Sequence, residues 1–108
     1  MSTHISMPFT DYFPPNVLDF ATRRKLADLL DPLRLALDRL FPVVHSVQVR
    51  LEEDPEIRDE NHVVFRVQVS RADVPDFGAA KRRWHEELFR LCPAPLVCYF
   101  RLTLERVP

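Results

Sequence analysis

Between Val43 and Ser70 the chain alternates apolar and polar residues in two runs, and these runs predict two β-strands. In Val43-Val44-His45-Ser46-Val47-Gln48-Val49-Arg50-Leu51 the odd positions are nearly all apolar and the even ones mostly polar, the period of a strand with one face buried. Val63, Phe65, Val67 and Val69 repeat the pattern, with Arg66, Gln68 and Ser70 on the opposite side. Each segment therefore offers one apolar face to a common core. His45 falls on the inward parity of the first strand and reads as a hydrogen-bonded core histidine rather than a base.

On either side of this pair the period changes to that of a helix. Leu26, Leu29, Leu30, Leu33, Leu37, Leu40 and Phe41 form one stripe within a helical stretch from about Val17 to Phe41. Pro32 interrupts it, and Asp31-Pro32 reads as an N-cap and first helical residue, so the stretch is either one kinked helix or two abutting ones. A second helix follows the strands, capped by Asp73 or Asp76 and running to about Leu91. Its inner stripe is Phe77, Ala80, Lys81, Trp84, Leu88 and Leu91, with Trp84 the expected anchor. Cys92-Pro93-Ala94-Pro95 ends it. Leu96 to Val107 alternates again and predicts a third strand, with Leu96, Cys98, Phe100, Leu102 and Leu104 inward and Val97, Tyr99, Arg101, Thr103 and Glu105 outward.

These elements assemble into an α+β fold, a two-layer sandwich in which two helices cover one face of a three-stranded mixed sheet. The first two strands pair antiparallel, and the helical crossover leaves the third parallel to the second. Placing the third strand beside the first gives the order 2-1-3. Residues 1–15, with Phe9, Tyr12 and Phe13 among prolines and polar residues, read as an N-terminal arm packed on its own domain or on a second subunit. Residues 16–108 then form a single α+β domain.

Composition narrows the functional classes. Lys and Arg number 15 against 16 Asp and Glu, so no overall field draws the chain to nucleic acid or to an anionic membrane. The single glycine excludes glycine-rich phosphate loops. Four histidines form no metal-ligand motif, and Cys92 and Cys98 match neither a redox nor a zinc spacing. The run from Glu52 to Asn61 is rich in carboxylates but lacks the spacing and glycine of a calcium loop, and reads as a solvated connection. No catalytic constellation, cofactor or metal is expected. Few cysteines, and no apolar run near the roughly 20 residues of a membrane span, point to a cytoplasmic protein that does not enter membranes.

The candidate chemistry lies on the sheet face left open by the helices. Arg50, Arg66, Gln68, Tyr99 and Arg101 share the outward parity there, with Ser46, Gln48, Ser70 and Thr103 beside them. Arginine and tyrosine are enriched at protein interfaces and also stack on single-stranded bases. The expected role is thus a non-catalytic interaction module. It would form a homodimer or bind a protein partner through the open face, a strand edge and the arm residues Phe9, Tyr12 and Phe13. Single-stranded nucleic-acid binding is the alternative.

Two resemblances follow from these residues. Asp54-Pro55-Glu56 between two strands, Trp84-His85-Glu86-Glu87 on a helix and Leu102-Thr103-Leu104-Glu105 in the last strand resemble a group of small uncharacterised prokaryotic α+β proteins, which implies no activity. The order helix, strand, strand, helix, strand is similar to that of the BolA family and of type II KH domains. The KH resemblance implies nucleic-acid binding, but its Gly-x-x-Gly loop has no counterpart, since Gly78 is the only glycine. Where a BolA-like helix carries a histidine between arginines, this chain reads Ala80-Lys81-Arg82-Arg83. Neither resemblance supplies a site residue.

Overall fold

The computed structural model describes residues 13–53 and 61–107. In chain order they form α1 (Pro15–Arg23), α2 (Ala27–Leu40), β1 (Ser46–Glu53), β2 (Asn61–Val69), α3 (Phe77–Leu91), a 3-10 segment (Ala94–Tyr99) and β3 (Phe100–Arg106). The α+β class is as the pattern predicts, with a three-stranded mixed sheet and helices packed on one side of it.

The long helical stretch does break in two, but at Lys25 instead of Pro32. Lys25 adopts a left-handed backbone, φ 60°. Its N–H donates to the carbonyl of Thr22 and that of Leu26 to Ala21, the paired bonds of a Schellman cap, and Leu26 is buried beside Phe20 and Ala21. Pro32 sits inside α2. It deprives the Asp28 carbonyl of a helical donor, a loss that water offsets because Asp28 is exposed. Of the two candidate caps for α3, Asp76 is the one used, its Oδ1 accepting from the Ala79 N–H at 3.0 Å. Asp73 instead closes a turn with Ser70.

In the sheet the expected order 2-1-3 is corrected to β1-β2-β3. β1 and β2 are antiparallel with Val49 opposite Phe65, and β2 and β3 are parallel with Phe65 opposite Leu102. The parallel relation of the second and third strands holds, but β3 lies against β2. The reason is apolar content: Val63, Phe65, Val67 and Val69 are all fully buried, whereas β1 buries only Val49 and leaves Val47 and Leu51 half-buried. An edge position would leave one flank of Phe65 to water. At the centre, Phe65 meets the rings of Phe13, Trp84 and Phe100 at 5.6–6.4 Å.

The third strand begins four residues later than its alternation suggests. Pro93 caps a 3-10 segment that holds Pro95 in its first turn, and Phe100 is the first residue with a β2 partner, Val63. Residues 94–99 are therefore not ladder positions, and Cys98 is exposed instead of inward. His45 likewise lies outside β1 and is exposed, not a core histidine. No described helix is long and apolar enough to cross a membrane.

Candidate interaction face

All three strands send their core-facing side chains toward α1, α2 and α3, and the register fixes what stands on the other side. Gln48, Arg66 and Thr103 form one cross-strand row, Arg50, Val64 and Arg101 the next, and Ser46, Gln68 and Glu105 a third. His62 and Glu52 extend the face at one end. Among the described residues no helix covers it. Four of the five predicted sheet residues, Arg50, Arg66, Gln68 and Arg101, are brought together here.

Tyr99 is the exception. It lies in the 3-10 segment, half-buried, with its ring edge-on to Phe20 of α1 at 6.0 Å, on the core side of the sheet. Phe13 is also removed from the candidate surface, because it is fully buried against Phe65 of its own chain. Phe9 and Tyr12 lie outside the described residues, as do positions 54–60 of the acidic connection.

A polar network crosses the face. Arg66 holds Glu105 with two parallel bonds, Nε to Oε1 at 2.6 Å and Nη2 to Oε2 at 2.9 Å. Gln68 Nε2 donates to the same Oε2 at 3.3 Å, and the Ser46 hydroxyl donates to Gln68 Oε1 at 2.6 Å. One chain of bonds thus ties β1, β2 and β3. The Arg66 guanidinium, then Gln68 and the nearby charge of Arg50, keep the Glu105 carboxyl below its ordinary pKa. The same pair raises that of Arg66. Beneath these side chains Val64 floors a cleft of about 250 Å³ lined by Arg50, Glu52, Arg66, Thr103 and Glu105.

At the other end Arg101 Nη2 lies 3.2 Å from Nε2 of the buried His62. Arginine has only donors, so in this contact the His62 ring nitrogen is the accepting side. Arg50 makes no hydrogen bond among the described residues and stays exposed. The face carries three arginines and two glutamates, a mixed surface with one cation already neutralised.

The chain matches no family model, no curated protein and no solved structure.

Glu105 and His62 are polar members of the face that the sequence does not single out. Strand parity was the available signal: Glu105 shares it with Arg101 and Thr103, and His62 with Arg66 and Gln68. What parity lacks is the diagonal offset between strands that turns Glu105 and Arg66 into partners. Elsewhere the chemistry is sparse. Among the described residues no three of His, Cys, Asp and Glu gather as metal ligands. Cys92 is buried, which pushes its thiol pKa up and keeps it protonated.

Proposed function

We propose that this chain is a small non-catalytic interaction module that binds a second protein, or a second copy of itself, through the open sheet face and the strand edges bordering it. The supporting observation is the Arg66–Glu105–Gln68–Ser46 network, which presets a mixed-charge surface on the side of the sheet that the helices leave uncovered. Side chains fixed before association lose less freedom on binding. Mixed charge suits a complementary protein surface better than a polyanion. Glu52 and Glu105 stand beside any phosphate track through Arg50 and Arg101, and Tyr99 is not on the face to stack a base.

The test is capture of a partner by the purified chain, with the bound protein identified. Binding should be lost in Arg50→Glu/Arg101→Glu and retained in Arg82→Glu/Arg83→Glu, which changes exposed residues of α3. Single-stranded oligonucleotide binding at low salt that falls steeply as salt rises, and is abolished by the first pair, would replace this reading with the nucleic-acid one.

A further inference from the structure

β3 pairs with β2 on one side, and among the described residues no strand pairs with its other edge. The hydrogen bond from the Val107 N–H to the Val69 carbonyl, together with the parallel register, shows that the odd residues of β3 direct their backbone groups to β2. The even ones, Phe100, Leu102, Leu104 and Arg106, therefore present theirs to the free edge. A strand edge of seven residues with no proline or bulge is a template for another strand.

The sequence of that edge is a palindrome of side-chain character about Thr103: Arg101-Leu102-Thr103-Leu104-Glu105. We infer that β3 pairs antiparallel with β3 of a second copy, on a two-fold axis at Thr103, to make a continuous six-stranded sheet with one shared open face. This rests on the interaction reading above and names its partner. In that register Arg101 stands opposite Glu105 of the copy, twice by symmetry, Leu102 opposite Leu104, and Thr103 opposite Thr103, with Phe100 opposite Arg106 at the two ends. Oppositely charged, apolar and threonine pairs are the favourable cross-strand combinations.

Neighbouring registers lose this match. The two faces stay continuous only when the pairing shifts by an even number of residues in total. Both neighbours separate Arg101 from Glu105: centring on Leu102 sets Arg101 against Thr103 and Glu105 against Tyr99, which is not in the strand, and centring on Leu104 sets Glu105 against Thr103. On β1, the other edge, the one register that sets Arg50 against Glu52 puts Val49 against Glu53 two residues from the axis, whereas in β3 the pairs out to two residues from the axis all match and the mismatch falls at the strand ends. Glu105 has room for the additional cation: Arg66 and Gln68 occupy it from within the chain while a third of its side chain stays exposed.

The axis makes the register testable. Thr103 pairs with itself at a non-hydrogen-bonded position, where Cα atoms lie about 4.5 Å apart, within disulfide range. In a Cys98→Ser background, which removes the exposed native thiol, Thr103→Cys should give an oxidised covalent dimer. Arg101→Cys on the same face should not, because the two copies of residue 101 lie four residues apart along the strand. By light scattering, Arg101→Glu should weaken self-association roughly tenfold, and Arg101→Lys, which keeps the charge opposite Glu105, should retain it. Circular dichroism checks that each variant is folded. A folded Thr103→Cys protein that yields no cross-link, or Arg101→Glu that leaves self-association unchanged, overturns this pairing. If the open-face variants still lose an identified partner, the interaction reading survives that failure; a chain that neither self-associates nor captures anything removes both.

Discussion

Lys25 shows how a single backbone angle outranks a whole helical stripe. A residue with a side chain in the left-handed region costs of order 1 kcal/mol, and the chain bears it because Leu26 is thereby buried and two carbonyls of α1 are satisfied. Lys25→Gly is expected to raise unfolding free energy by about 0.5–1 kcal/mol in urea denaturation, since glycine takes that angle without strain. At Glu105 the expected dependence is on pH. Its folded pKa lies below the ordinary carboxylate value of about 4.3, so its stabilising contribution is complete above that value and is lost as pH falls through the folded pKa. The stability difference between the native chain and Glu105→Gln should therefore be constant near neutrality and shrink below about pH 4. Glu87, also lowered, chiefly by its bond to Arg90, is present in both proteins and cancels.

Among the elements, α3 is placed by its two ends. Asp76 fixes the start, and Cys92, extended before Pro93, fixes the stop. Asp76→Ala removes the side-chain cap from Ala79 and should cost about 1 kcal/mol in thermal or urea unfolding, with little change at Asp73, whose contacts are to Ser70. The strands follow a different rule. β2 presents the fullest apolar face and takes the centre, so both β1 and β3 become edges, and the edge with a self-complementary sequence is the one assigned to a second copy.

For the molecule as a whole, one core joins every described helix and strand. Trp84, the only tryptophan, is buried against Phe65, and that ring in turn meets Phe13 and Phe100 from the two ends of the described chain. Unfolding should therefore be a single cooperative event. Tryptophan fluorescence and far-ultraviolet circular dichroism should give coincident urea transitions for the native chain. An earlier loss of ellipticity than of fluorescence would mean that α1 and α2 detach separately.

Local periodicity was enough to place β1, β2 and α3, the apolar stripe of α2, the α+β class and the face shared by Arg50, Arg66, Gln68 and Arg101. These depend on which way successive side chains point, and that is set by the backbone repeat within a few residues. Long-range competition decided the rest. Which strand takes the middle depends on the apolar area of all three together, and Tyr99 and Cys98 stay out of the strand because the 3-10 segment after Pro93 holds them, although Asn61 and His62 of β2 lie level with them in the register. Phe13 became core because the ring of Phe65 needed a neighbour, and Glu105 became the partner of Arg66 through a diagonal offset that exists only once β3 lies beside β2.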